Sequence, residues 1–348
     1  MLELRSPEGA FERIEAYLRE RGFFSAGGTD LVADLYLGYG LSEPLRRRPD
    51  VPAPPDPCPA LPLAAVAVRG TDELVFLKHK PLSLGPWERS WSDAGYAAAI
   101  ESVREAIGRG DVYQVNLVQH LEAVSETSPR RLRDALAAFR PRLLEGDGWA
   151  VVSASPELFL SRRGRLVRTC PIKGTRPLGE HVEGEKDAAE HVMIVDLERN
   201  DLSRVCEPGS VRWPELMAER ELAGVTHLVS TVEGTLREDV GLAELLAATF
   251  PGGSVTGAPK LAALDQIAAL EPVGRGASMG ALGVVRGNGD LELVLTIRTF
   301  AIADGRIHLW VGGGIVWDSE PEAEIEESWT KARPLLAAIG APVEVPAR

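Results

Sequence analysis

The pattern of apolar and polar positions divides this chain into short helices and many strands. Over residues 6–20, Phe11, Ile14, Tyr17 and Leu18 recur at helical spacing, Ser6 stands where a cap belongs, and Pro7 suits a first turn. Residues 44–62 carry eight prolines in 19 positions, which excludes a helix or central strand and predicts an exposed connector. Strands are predicted at 63–68 and 73–77, followed by a helix at 93–108. From residue 111 the texture changes. DVYQVNLVQHL alternates, with Tyr113, Val115 and Leu117 on one side and Gln114 and Asn116 on the other. Further strands are expected at 149–161, 165–170, 223–236, 278–286, 291–300 and 306–317. Asn288-Gly289 and Asp304-Gly305 separate the last three, so they should form one antiparallel meander. Helices are expected at 185–199, 241–248, 260–270 and 321–339. Helices scattered among hairpins, without strict βαβ alternation, predict an α+β architecture.

Composition narrows the function classes. With 348 residues and 45% hydrophobic content, the chain can bury a substantial core. A net charge of -13 argues against a nucleic-acid partner, although a small anion can still bind a locally basic pocket. Cys58, Cys170 and Cys206 are odd in number, widely spaced and without metal-type spacing, as expected of a reduced, cytoplasmic protein. The first residues lack the apolar core of a signal peptide, and no run reaches the roughly 18 apolar residues of a membrane span, so no membrane association is expected.

Several constellations have chemical potential, and each has a bland reading beside it. Asp187 and Glu190 are three apart on a predicted helix; Glu324 and Glu327 repeat that spacing on another, with Lys331 one turn further on. Two such helices can offer hard oxygens to one Mg²⁺, or both can be solvated faces. Lys173, between the punctuation of Pro171-Ile172 and Gly174-Thr175-Arg176-Pro177, is either a held nucleophile or a loop lysine. Glu157, in Ser155-Pro156-Glu157-Leu158-Phe159, is a general acid with a raised pKa or an edge-strand carboxylate. The stretch from Pro251 to Lys260 fails as a P-loop because Ala258 and Pro259 intervene before the lysine; it remains a turn opening a helix whose N–H groups can receive an anion. Gly312-Gly313-Gly314 weakens a strand, which calls for a bulge or a closely approaching ligand. Arg298, in a neighbouring strand, is a carboxylate clamp or a surface arginine, and His227 sits in a stretch typical of core histidines. Taken singly, none of these decides a function.

Taken together, GDVYQVNLVQ, SPELFLS, PIKGTRPLG, EHVMIVDLERNDLSRV, VTHLVSTVEG, FPGGSVTGAPK, TIRTF and GGGIVWDSEPEAEIEE resemble, in order, the blocks of the chorismate-utilising family. The resemblance covers roughly residues 91–340. It implies an α/β/β/α sandwich of two large, mainly antiparallel sheets flanked by helices. The catalytic, chorismate-binding part would be 91–341, and residues 1–90 a short N-terminal portion packing onto the same fold. By position, Glu190 and Glu327 would ligate Mg²⁺ directly, with Asp187 and Glu324 supporting. Arg298, Lys331, Gly314, Thr175 and Gln114 would contact substrate, Thr256 and Gly257 would line the pocket, and His227 would lie near the reacting ring.

Two positions choose among the family's reactions. Members that add water carry a lysine base where this chain has Gln114, and anthranilate-forming members commonly carry alanine where it has Lys173. The resemblance therefore implies a transferase aminating chorismate at C4 in the p-aminobenzoate and folate branch. Lys173 would add covalently at C2 and Glu157 would protonate the departing C4 hydroxyl. The alternatives are C2 amination with pyruvate loss, as in the large subunit of anthranilate synthase, and a non-catalytic module that binds an amidotransferase. The chain lacks a glutaminase nucleophile motif, so ammonia would come from a separate glutamine amidotransferase subunit. Two departures stand out: Ser278 occupies the usual tyrosine position of an Arg-Gly-x-Tyr segment, and the N-terminal part lacks the Leu-Leu-Glu-Ser segment tied to tryptophan feedback.

Overall fold

The computed structural model describes residues 1–25, 30–70, 82–177, 185–222, 225–343 and 345. Among these, the strands form two largely antiparallel sheets. The larger runs β1 (Leu2–Leu4), β3 (Ala64–Gly70), β2 (Leu31–Leu37), β14 (Ala281–Arg286), β15 (Leu291–Leu295), β8 (Leu158–Arg163), β9 (Leu166–Cys170), β12 (Val225–Thr235) and β10 (Ile172–Pro177). β11 (Arg212–Leu222) also pairs with β12. The smaller runs β13 (Gly257–Ala258), β5 (Gln114–Ser125), β17 (Arg306–Ile315), β16 (Thr299–Ala303), β7 (Trp149–Ser153) and β6 (Arg142–Gly146), with β4 (Leu84–Arg89) on β5. Helices α2 (Asp93–Gly108), α3 (Pro129–Ala135) and α7 (Pro321–Ala338) pack against the smaller sheet. Helix α4 (Glu185–Ser203) lies against β10, β11 and β12 of the larger one. Helix α1 (Ala10–Glu20) touches β1 and α5 (Leu242–Thr249), while α6 (Lys260–Leu270) rests on β5 and β13. This is the expected α+β sandwich. No helix of the described residues is long and apolar enough to cross a membrane.

The core explains the layering. Val115, Leu117 and Trp310 of the smaller sheet are buried together with Leu35, Leu160 and Val232 of the larger. The outer side of the smaller sheet buries Leu121, Phe300 and Leu309 against Leu335 and Leu336 of α7. At about 25 cal/mol per Å² of apolar surface, burial on both faces of a sheet is what holds such a stack.

Four expectations need revision. The three late strands do not form one meander. β14 and β15 pair in the larger sheet, whereas β16 and β17 pair in the smaller. Between them the chain changes sheets at Ile297-Arg298, where Arg298 adopts a left-handed φ of 51° that no continuous strand tolerates. The proline-rich segment is not simply exposed: Cys58 and Leu61 are buried, and Gly274 N–H donates to the Pro55 carbonyl at 2.8 Å. The Lys173 segment is strand β10 rather than a strand-to-loop transition, and β1, β2, β4, β6, β11 and β13 were not anticipated. The strand expected at 73–77 lies outside the described residues.

Candidate active site

The glycine run lies beside carboxylates of both acidic helices. Gly312, Gly313 and Gly314 of β17 lie opposite Val118, Leu117 and Asn116 of β5. A methyl group on Gly314 would collide with the Gln114 amide and stand 2.8 Å from Glu190 Oε1. On Gly313 it would stand 3.4 Å from Glu327 Oε1 and Lys331 Nζ, and 3.5 Å from Glu324 Oε2. Adjacent glycines therefore stand beside carboxylates from α4 and from α7. Ile194, Val195 and Leu202 anchor α4 in the core, and Ala332, Leu335 and Leu336 anchor α7. The helices are thus held in place, and of the two α7 carboxylates Glu324 is buried while Glu327 is exposed. Pro321 opens α7, and Glu322 and Glu324 in its first turn suit the positive end of the helix dipole. Lys331 Nζ pairs with Glu327 at 2.7 Å and donates to the Gly312 carbonyl at 2.8 Å. The side chains of Asp187 and Thr175 lie outside the described residues.

Lys173 points into the same place. The register of β10 against β12 shifts between Lys173 and Thr175, and Gly174 at that shift has a φ of 64°. Such a bulge re-aims a side chain out of the ladder. Lys173 Nζ lies 2.6 Å from Glu190 Oε1, and Gln114 Nε2 donates to the same oxygen at 2.8 Å. Burial works to lower the lysine pKa. The carboxylates of Glu190, Glu157 and Glu327 outweigh it, so the net displacement is upward and the amine is held as ammonium.

Glu157 is buried, accepting from Ser254 Oγ at 2.8 Å and from the Ile172 N–H at 3.4 Å. Burial raises its pKa despite the Ser254 bond and the nearby charges of Lys173 and Arg298, as suits a proton donor. Burial lowers the Arg298 pKa, with Glu157 opposing. His227 is buried with Nδ1 3.0 Å from the Gly174 carbonyl; burial lowers its pKa, and so do the charges of Arg298 and Lys331. Lys173, Glu157, Gln114, Glu190, Arg298 and His227 thus lie near one another, with the charges of Glu327 and Lys331 felt at Lys173 and His227 respectively.

The remaining candidates play scaffold parts in the described contacts. Thr256 is buried and its hydroxyl accepts from Tyr39 at 3.2 Å. Gly257, at φ 132°, passes so close to the Gln114 carbonyl that a Cβ would overlap it. The turn is held by a buried Arg275–Glu271 pair at 2.7 Å, in which Arg275 also donates to the carbonyls of Val255 and Asn116. Sequence reasoning missed that pair, because it lies beyond α6 in a segment broken by Pro272 and Gly274, where helical spacing carries no signal. Ser278 is buried and donates to the Thr296 carbonyl at 3.4 Å, so it serves the backbone. His191 also escaped notice: buried, with Nε2 2.6 Å from Ser230 Oγ, it is pushed down to about 4 by burial and the Lys173 charge. A cleft of 520 Å³ lies on another flank of α4, beside Met193, Leu197 and Tyr113, and does not include these groups.

Behind Glu157, Glu198 is buried, bonded to Thr169 Oγ1 at 2.9 Å, and raised by burial to about 8. A carboxyl raised on folding contributes stability that is intact below the unfolded value of 4.5 and is lost as pH rises toward 8. Glu198→Gln is therefore expected to flatten the fall in stability between those limits, by up to about 1.4 kcal/mol per pH unit. Urea midpoints measured at several pH values for both proteins would check it, and parallel pH profiles would refute a neutral buried Glu198.

The described residues thus form an antiparallel two-sheet sandwich in which clustered carboxylates stand beside buried basic groups. Residues 64–337 match the chorismate binding enzyme family, and the chain belongs to that family. It is 40% identical over 269 residues to anthranilate synthase component 1 of Streptomyces coelicolor, covering 73% of this chain and 53% of that protein. It is 38% identical over 268 residues to aminodeoxychorismate synthase component 1 of Bacillus subtilis, covering 73% and 57%. The chain thus spans little more than half the length of these relatives. Anthranilate synthase component I of Streptococcus pneumoniae shares the fold with a TM-score of 0.78 and 25% identity, over 92% of this chain and 84% of that one.

Proposed function

We propose that this protein aminates chorismate at C4 to give 4-amino-4-deoxychorismate, using ammonia delivered by a separate glutamine amidotransferase. The observation that carries the reading is Lys173: its amine lies 2.6 Å from a carboxylate of the acidic cluster and within the field of buried Glu157. The Lys173 ammonium has to release a proton to solvent as its ion pair with Glu190 opens, which leaves a neutral amine. Lys173 Nζ then adds at C2, the ring double bond shifts, and the C4 hydroxyl leaves as water with the proton of Glu157. Ammonia attacks C4, the double bond returns, and the lysine amine departs. Glu157, now a carboxylate, takes the proton that ammonia sheds. Arg298 and Lys331 supply the local cations that a dianionic substrate needs inside an acidic protein. His227, held through Nδ1, bounds the ring site.

The donor set fits Mg²⁺: the carboxylates of Glu190, Glu324 and Glu327 lie about two glycines and offer hard oxygens. Asp187, on the same helix as Glu190, completes the proposed set. Bound there, Mg²⁺ would neutralise substrate carboxylate charge. Gln114 cannot act as a base, which disfavours addition of water.

A second reading, C2 amination to anthranilate, is favoured by the 40% identity to the Streptomyces coelicolor enzyme. Product analysis separates them. With chorismate, Mg²⁺ and ammonium salt at alkaline pH, the expected product is an amino compound that keeps its enolpyruvyl ether. Fluorescent anthranilate with free pyruvate would establish the second reading instead, and unchanged chorismate would point to a binding module.

A further inference from the structure

The two central strands of the smaller sheet carry another cluster of metal-type ligands. His120 and Glu122 are two apart on β5 and so share a face, and His308 on β17 lies directly opposite Glu122. The three residues are buried, and one ligand atom from each falls within 4.8 Å of the others. His120 Nε2 lies 3.0 Å from His308 Nδ1, and His308 Nδ1 lies 3.5 Å from Glu122 Oε2. In a tetrahedral site with bonds near 2.1 Å, neighbouring ligand atoms are about 3.4 Å apart. The observed edges bracket that value, so an ion would fit with small adjustments. Ser90 Oγ, 2.8 Å from His120 Nδ1, fixes the ring with Nε2 turned to the cluster, the outer support that metal-binding histidines require. His308 Nε2 has no hydrogen-bond partner, so the ring is not committed to another polar contact. Trp310 stacks on the His308 ring and lies tilted against that of His120.

We propose that His120, Glu122 and His308 form a second metal site, selective for a borderline transition ion such as Zn²⁺ or Co²⁺ rather than Mg²⁺, with water or the second Glu122 oxygen completing the shell. Two imidazoles and one carboxylate suit such ions and not a hard cation that demands oxygen. Six residues along β5 separate His120 from Gln114, about 20 Å, so this site is distinct from the acidic cluster. The ion ties β5 to β17. Arg306 opposes it, because its Nε holds Glu122 Oε2 at 2.7 Å. That side chain is 32% exposed and can swing to solvent. Arg306 therefore sets the affinity.

The test uses the untagged full chain, stripped with chelator and kept in excess Mg²⁺, titrated with Co²⁺ by visible absorption and with Zn²⁺ by competition against a coloured chelator. One equivalent of Co²⁺ should bind with a tetrahedral spectrum, and Zn²⁺ should displace it. His308→Phe and Glu122→Gln should each weaken binding by on the order of 100-fold. Arg306→Gln, which removes no ligand, should tighten it by roughly tenfold. Glu190→Ala should leave it unchanged. Failure of the wild type to take up one equivalent, an Arg306→Gln affinity equal to wild type, or binding lost with Glu190→Ala would each overturn the assignment.

Discussion

Lys173→Ala is expected to lower C4 amination on the order of 10³-fold or more while leaving the fold and Mg²⁺ binding intact, as loss of a covalent nucleophile does. The fold should survive because Gln114 continues to donate to Glu190 Oε1 at 2.8 Å, so that carboxylate keeps a partner. Mg²⁺ affinity should hold or rise, since the ammonium that competes for the same oxygen at 2.6 Å is gone. Steady-state rates, calorimetric Mg²⁺ titration and thermal melting of one preparation would check all three. Wild-type turnover in the alanine variant would remove Lys173 as nucleophile, and a parallel loss of melting temperature would assign it a structural part. Arginine in its place restores the charge without a usable nucleophile and should remain inactive.

Removal of the clustered carboxylates has the second large effect. Glu327→Ala is expected to weaken Mg²⁺ by at least about 100-fold and to abolish turnover at ordinary Mg²⁺ concentrations. It is the cleaner of two variants, because the Glu327 side chain is 55% exposed and its loss strands little buried polarity. Glu190→Ala should have the same effect on the metal with a cost in stability besides. Lys173 and Gln114 both aim at Glu190 Oε1, and losing that acceptor leaves donors in a buried setting, which costs about 1–3 kcal/mol. Calorimetry and urea denaturation together separate the terms. Unchanged Mg²⁺ affinity in both variants would dissolve the proposed metal centre, while equal stability losses would contradict the asymmetry in burial.

The candidate site was legible to the extent that its residues lay in short motifs with local punctuation. Helical spacing placed Glu190 on a helix with a buried flank, and three consecutive glycines in a strand announced a close approach before its partners were known. The errors share a cause. Arg298 sits inside an apolar stretch that reads as one strand from 291 to 300, because alternation records which faces are buried and not which sheet buries them. Only its left-handed backbone reveals the change of sheet. Likewise Gly174 and Pro177 read as loop punctuation, yet Gly174 marks a bulge that keeps β10 paired while turning Lys173 inward.

By itself the sequence determined the α+β class, the family, and which side chains were chemically equipped, because periodicity and ordered motifs are local properties of the chain. What the tertiary structure decided was proximity. Ser254 against Glu157, Lys173 and Gln114 on one Glu190 oxygen, Arg275 under the 253–257 turn, and His308 against His120 are separated by between 17 and 188 positions. Those contacts exist because two sheets stack with helices on their outer faces. Stacking is driven by nondirectional apolar burial, which fixes how polar groups meet only after every layer is in place.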